Sequence, residues 1–220
     1  MPDPSPLSWR EPLILGITGT TNAGKTTLAN KLLERFPGSR IIHQDDFFRA
    51  KDDPAHEHVE NLDHHNWDCL SAIKVDELIQ TFYKYRDELG KSGHEGQYLN
   101  GHTAQGGARG QPMLIVEGIL VLNIPEISDA CNLKYFLHLT EEECKARRLL
   151  RNYDPPDVPG YYEQVVYPMH EYYSAQLHRR YKDICYIEGT DDPEKIFQKV
   201  LCDIAGYGYS PSTKPLGTTS

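Results

Sequence analysis

The chain is poor in three things. No apolar run in its 220 residues approaches the roughly 20 that a membrane helix needs. The most apolar stretch, Met113 to Leu122, is short and carries Glu117 in its middle. No membrane partner is therefore expected. Cysteine is scarce: Cys69, Cys131, Cys144, Cys185 and Cys202 are odd in number, and none forms a C-x-x-C pair. That argues against a disulfide scaffold or a zinc site of the usual spacing, and it fits a reducing compartment, so a cytoplasmic location is expected. Positive charge is short as well, with 23 Lys and Arg against 32 Asp and Glu, a net charge of −9. A duplex nucleic-acid binder needs a basic face, so nucleic acid is not an expected partner; a local basic pocket for a small phosphate stays open. Residues 1–12 are rich in Pro and Ser and lack the apolar centre of a secretory leader, so they read as a flexible extension. Residues 206–220 are mostly Gly, Ser, Thr and Pro and read as a disordered tail.

Between them, residues 13–205 read as one α/β domain. Leu13-Ile14-Leu15-Gly16-Ile17, Arg40 to His43, Leu114-Ile115-Val116, Lys134 to Leu139 and Ile184 to Ile187 are expected as five strands. Helices are expected after the first strand, over Ile73 to Leu89, Glu141 to Asn152, Tyr161 to Tyr181 and Pro193 to Ile204, the last capped by Asp191 or Asp192. Residues 49–66 read as a solvated, His-rich loop, and the seven glycines between Gly90 and Gly110 read as a mobile one. Strands alternating with helices imply a mostly parallel five-stranded sheet flanked by helices, with ligands gathering at the carboxyl ends of the strands.

Gly19-Thr20-Thr21-Asn22-Ala23-Gly24-Lys25-Thr26 matches G-x-x-x-x-G-K-[ST] at every fixed position, between an apolar strand and an amphipathic helix. Such a loop turns several N–H groups onto the phosphates of a nucleotide; Lys25 reaches the outer phosphates and Thr26 is the Mg²⁺ ligand. Asp45, just past the second strand, is the candidate base for a hydroxyl acceptor and a second candidate Mg²⁺ ligand, with Asp46, Phe47 and Phe48 beside it. Glu117 ends the third strand, the usual place for another carboxylate near the metal. Arg147, Arg148 and Arg151 crowd toward one side of the Glu141 helix before Asp154-Pro155-Pro156 stops it. This reads as a lid, about 147–160, whose arginines stabilise a transferring phosphoryl group. Trp67 and Tyr153 could stack on a flat ring. A GTPase-like switch would need an Asn-Lys-x-Asp segment, which the chain lacks.

Together, residues 19–27, His43-Gln-Asp-Asp-Phe-Phe48, Asn66-Trp-Asp68, Ile115-Val-Glu-Gly118 and residues 142–161 resemble the nicotinamide riboside kinases, within the uridine-kinase-like P-loop kinases. The resemblance spans roughly Leu13 to Ile204. It implies a P-loop kinase fold and ATP- and Mg²⁺-dependent phosphorylation of the 5′-hydroxyl of nicotinamide riboside, giving nicotinamide mononucleotide for NAD synthesis. It also implies roles: Asp45 accepts the proton and lies by Mg²⁺ with Thr26, Asp68 and Arg148 hold the ribose hydroxyls, and Trp67 and Tyr153 sandwich the base. Gly19 to Thr27, Arg147, Arg151, Asn152 and Tyr153 would lie along ATP, with Asp191, Asp192 and Pro193 near the adenine. Trp67 stands where animal members typically carry tyrosine, a difference that bears on nucleoside selectivity. A kinase for another nucleoside, such as uridine or cytidine, is the alternative.

Overall fold

The structure, a computed structural model, describes residues 11–98 and 112–209, without side chains for residues 92–98. Residues 1–10, 99–111 and 210–220, which carry most of the expected extension, Gly-rich loop and tail, lie outside the described residues. In chain order the elements are β1 (Leu13–Gly19), α1 (Lys25–Arg35), β2 (Arg40–His43), β3 (His58–Val59), β4 (His64–His65), α2 (Val75–Tyr98), β5 (Met113–Glu117), α3 (Pro125–Ser128), β6 (Leu133–His138), α4 (Glu141–Leu149), α5 (Tyr167–Arg180), β7 (Ile184–Glu188) and α6 (Pro193–Gly206). The main sheet runs β2-β5-β1-β6-β7, and every pairing in it is parallel.

The sheet is covered on both faces, which is why its central strands are apolar without a break. Every residue of β1 and β5 is buried. Alternate side chains point to opposite faces. Leu13, Leu15, Ile17, Met113 and Ile115 pack with Leu28 and Leu32 of α1 and Phe197 and Val200 of α6. Ile14, Leu114 and Val116 pack on the other face with Leu78 and Phe82 of α2, Ile127 of α3 and Leu177 of α5. Each such side chain contributes about 1.5–3 kcal/mol through burial. The result is a three-layer P-loop fold that brings the ends of β1, β2 and β5 together on one edge.

Several elements differ from the sequence expectation. The helix from Val75 runs to Tyr98 and takes in Gly90, Gly93 and Gly96. Each glycine costs about 1 kcal/mol in a helix, but a helix already nucleated adds one hydrogen bond per residue. The helix expected from Tyr161 opens with a π-turn, Tyr162–Val166, and only then becomes α5. Pro168 in the first turn of α5 has no N–H to donate, so the regular ladder cannot run through it. α4 stops at Leu149 rather than Asn152; its start is a capping box, with Thr140 Oγ1 accepting from Glu143 N and Glu143 Oε2 from Thr140 N. The expected solvated loop 49–66 instead holds the β3–β4 hairpin. There His56 is buried, its ring stacked on His65 at 4.8 Å and tilted against Trp67 at 4.3 Å. Asp192 is the cap of α6, its carboxylate accepting from Glu194 N at 2.7 Å.

The ordered chain also passes the expected boundary at Gly206. Tyr207 Oη donates to Asn132 O at 3.0 Å, and the buried Tyr209 hydroxyl accepts from Leu13 N at 2.8 Å. Tyr209 thus caps the first N–H of the central strand. Tyr209→Phe would strand that donor in the core, a loss of about 1–3 kcal/mol. Urea unfolding of this variant should show a lower midpoint at unchanged slope; an unaltered midpoint would mean that the C-terminal anchor is immaterial.

Candidate active site

The phosphate loop leaves the carboxyl end of β1 and turns into α1. Gly19 has a φ of +128°, and a Cβ there would lie 2.1 Å from Leu137 O, so only glycine lets the loop pass β6 this closely. Thr20 N donates to that same Leu137 O at 2.9 Å. Gly24, with a φ of +94°, sets up the first turn of α1. The unpaired N–H groups of that turn and the positive end of the helix dipole make an anion site. Lys25 folds back over the loop: Nζ donates to Thr20 O at 2.7 Å and Gly19 O at 3.2 Å, and the residue is only 7% exposed. Burial lowers its pKa, against the opposing charges of Glu117 and Asp45.

Those two carboxylates come from neighbouring strands. β2 and β5 pair in a register that sets His43 opposite Glu117. Glu117 is buried, and its Oε1 accepts from Thr26 Oγ1 at 3.0 Å and His43 Nδ1 at 2.7 Å. Asp45 follows β2 in a single 3-10 turn, Gln44–Phe47, and opens into the cleft. Surrounding protein, then the charge of Glu117, raise its pKa, while Lys25 opposes them. A carboxylate so raised is a better proton acceptor. Thr26, Asp45 and Glu117 offer only oxygen, the donor set of Mg²⁺, which takes one or two carboxylates and completes its shell with phosphates and water. Among the described residues no group of three or more His, Cys, Asp or Glu could hold a metal alone. A cation here fits as a companion of a nucleotide.

The lid arginines divide rather than share one face. Arg148 turns inward and is buried, its Nε and Nη2 donating to the two oxygens of Asp157 at 2.6 and 2.9 Å. Burial opposes its charge, but Asp157 and Asp68 leave it more basic than usual. Arg147 and Arg151 reach the phosphate loop through Asn22: Arg147 Nη1 donates to Asn22 O at 3.1 Å, and Arg151 Nη1 to Asn22 Oδ1 at 3.1 Å. The crowding expected from sequence is relieved because Asp157 neutralises the middle arginine. Asn22, with a φ of +62°, also donates from Nδ2 to the Tyr153 hydroxyl at 2.9 Å. The Arg148 guanidinium lies 4.2 Å from the Tyr153 ring centre.

On the opposite wall, Trp67 N donates to the Tyr161 hydroxyl at 2.8 Å, and Tyr161 Oη donates to Asp68 Oδ2 at 3.1 Å. Asp68 is buried; desolvation raises its pKa, with Arg148 and Tyr161 acting against it. Phe48 meets the edge of Trp67 at 6.0 Å.

These walls enclose a cleft of about 780 Å³, within the range of about 300–1,000 Å³ usual for small-molecule sites. Of the residues singled out from sequence, it is lined by Thr21, Asn22, Gly24, Lys25, Thr26 and Thr27 at the phosphate end. Asp45, Phe48 and Glu117 line its middle; Trp67, Asp68, Arg148, Arg151, Asn152 and Tyr153 line the rest. Gly19 and Thr20 lie behind the loop, on a separate void of about 20 Å³. Ala23, Asp46, Phe47, Arg147, Asp191, Asp192 and Pro193 are not on the cleft wall; Ala23 joins the core, and Phe47 packs against the α2 face of the sheet. Sequence reading missed His43, Asp157, Tyr161 and Lys51, whose ammonium pairs with Asp154 across the cleft mouth. His43, Asp157 and Tyr161 fall inside the resembling segments and Lys51 outside them, but what each side chain meets is set by the fold.

A phosphate loop, strand-end carboxylates and arginines around one cleft define a P-loop kinase acting on a small molecule. Residues 14–174 match the phosphoribulokinase / uridine kinase family. Over 87% of its length the chain is 36% identical to nicotinamide riboside kinase 2 of Mus musculus, covering 95% of that protein. It is 34% identical to nicotinamide riboside kinase 1 of Homo sapiens over 87% of its length, covering 91% of that protein. In three dimensions it resembles an unliganded sugar kinase from Janibacter sp. HTCC2649, with a TM-score of 0.50 over 90% of this chain and 99% of that one; at 16% identity the likeness speaks for the fold alone. The chain belongs to the phosphoribulokinase / uridine kinase family and is a nucleoside kinase, a phosphotransferase with ATP as co-substrate.

Behind the loop, the His170 Nε2 lies 3.4 Å from Thr20 Oγ1, and burial, with Lys25 and His138, pushes its pKa from 6.5 down to about 4. The unfolded chain takes up this proton near 6.5 and the folded chain only near about 4, so acid favours unfolding across that window. The stability lost there is at most about 3 kcal/mol, and below the window the loss is constant. His170→Gln, which cannot titrate, should show a shallower fall in urea-unfolding stability between pH 6.5 and 4. A pH profile parallel to that of the native protein would contradict the assignment.

Proposed function

We propose that the protein transfers the γ-phosphoryl group of ATP to the 5′-hydroxyl of nicotinamide riboside, giving nicotinamide mononucleotide for NAD synthesis. The observation that carries this reading is the acceptor wall, where the buried Asp68 and Arg148 share the cleft with the rings of Trp67 and Tyr153. A carboxylate that accepts and a guanidinium that donates suit the two hydroxyls of a ribose. Aromatic faces suit a flat cationic ring, with no need for hydrogen bonds to read a pyrimidine edge. The names of the relatives at 34–36% identity favour the same nucleoside.

The residues then divide the work. The loop amides and Lys25 hold the outer phosphates, and Arg147 and Arg151 sit close enough to the loop to neutralise charge on the transferring group. Asp45 orients the 5′-hydroxyl and takes its proton as the new O–P bond forms and the bond to the ADP oxygen breaks. Thr26 and Asp45, with Glu117 behind Thr26, would hold Mg²⁺, which draws charge from the phosphate oxygens. The turn at Asp191 to Pro193 would flank the adenine, and residues 147–160 would act as the lid over both substrates. The five free thiols support a reducing, cytoplasmic setting.

Initial rates with ATP and Mg²⁺ should give a higher kcat/KM for nicotinamide riboside than for uridine or cytidine. Asp45→Asn should lower kcat by about 10²–10⁴-fold. A higher kcat/KM for uridine would sink the substrate assignment, and a near-native kcat in Asp45→Asn would sink the role of the base.

A further inference from the structure

His43 has no part in the transfer just described, yet the fold places it with care. It is the last residue of β2, and the parallel register sets it directly beside Glu117, the last residue of β5. The Glu117 side chain is 4% exposed, whereas that of His43 is 32% exposed. A carboxylate buried this far needs its charge met by donors. Two reach it, from two different elements, and both land on one oxygen. Thr26 Oγ1 comes from the start of α1 at 3.0 Å, and His43 Nδ1 comes from the end of β2 at 2.7 Å. The ring nitrogen that faces a carboxylate carries the proton, so Nδ1–H donates. With Oε1 held from two sides the carboxylate cannot rotate, and Oε2 stays free of protein donors among the described residues.

We infer that His43 is a positioning residue for the cation site. By donating to Glu117 Oε1 it fixes the carboxylate that holds the Thr26 hydroxyl, and so sets the oxygens that receive the Mg²⁺ travelling with the nucleotide. Outer partners of this kind orient the groups that touch a metal and tune how tightly it is held. This inference rests on the kinase reading above. The imidazole is not on the cleft wall, so it should change metal affinity and leave nucleoside affinity alone.

Two substitutions separate the donor from the ring. His43→Phe keeps a ring of similar outline and loses the donor; His43→Asn loses the ring and keeps an N–H at about the place of Nδ1. Mn²⁺, used as a spectroscopic probe in place of Mg²⁺, is titrated into each full-length protein with ADP and read by electron paramagnetic resonance. His43→Phe should weaken Mn²⁺ binding by about tenfold or more and raise the Mg²⁺ concentration for half-maximal rate, with KM for the nucleoside unchanged. His43→Asn should recover most of the loss. If His43→Phe melts early, His43→Leu replaces it in the same titration. Native Mn²⁺ affinity in the donor-less variant, or an Asn variant no better than Phe, would overturn the inference. A native protein that binds Mn²⁺ and nucleotide but phosphorylates no nucleoside would instead overturn the kinase reading, while the Mn²⁺ series still reports on His43.

Discussion

A lysine ammonium held almost out of water is the constraint around which this site is built. Burial works against the charge of Lys25, while Glu117 and Asp45 nearby, and the carbonyls of Gly19 and Thr20 that accept from it, work the other way. Each of those partners depends on a wider feature of the fold. The carbonyls are presented only if the loop can pass β6, which glycine at position 19 permits. The carboxylates arrive only if β2 and β5 run parallel to β1 and end together. The continuous apolar strands that bury the sheet on both faces therefore also fix the electrostatics at its edge. The same low-dielectric setting that makes Lys25 costly strengthens its pull on a phosphate.

The wall of the cleft around Arg148 follows from a second division of charge. Asp157 takes Arg148 out of the cluster and pins it into the cleft wall near Asp68, leaving Arg147 and Arg151 to the loop through Asn22. One asparagine on the phosphate loop thus touches Arg147, Arg151 and Tyr153. The surface pairs at the cleft mouth, such as Lys51 with Asp154, are exposed and contribute little to stability. What fixes the segment after α4 is the bidentate pair between the buried Arg148 and the more exposed Asp157.

Much of this was legible in the sequence where chemistry dictates residue type at fixed spacing. The loop from Gly19 to Thr26, the acids that follow the strands at Asp45 and Glu117, and the five strands themselves carry local signals of that kind. What was not legible depends on how the chain pairs in three dimensions. The His43–Glu117 contact follows from sheet register, and the Arg148–Asp157 pair from the turn after α4. The burial of His56 against Trp67 is a consequence of a hairpin too short to show a pattern. Glycines at 90, 93 and 96 signalled a loop, and the helical ladder overrode them. Tyr207 and Tyr209 are two aromatics in a polar tail, and the anchor of Tyr209 on Leu13 spans nearly the whole chain.

The reading of one cleft as the meeting place of a triphosphate and a ribose hydroxyl is tested most directly by the identity of the product. Phosphorus and proton NMR of the protein with ATP, Mg²⁺ and nicotinamide riboside should show one new phosphomonoester, coupled to the 5′ protons of the riboside, forming in step with ADP. Release of ADP and inorganic phosphate with the riboside unchanged would contradict it.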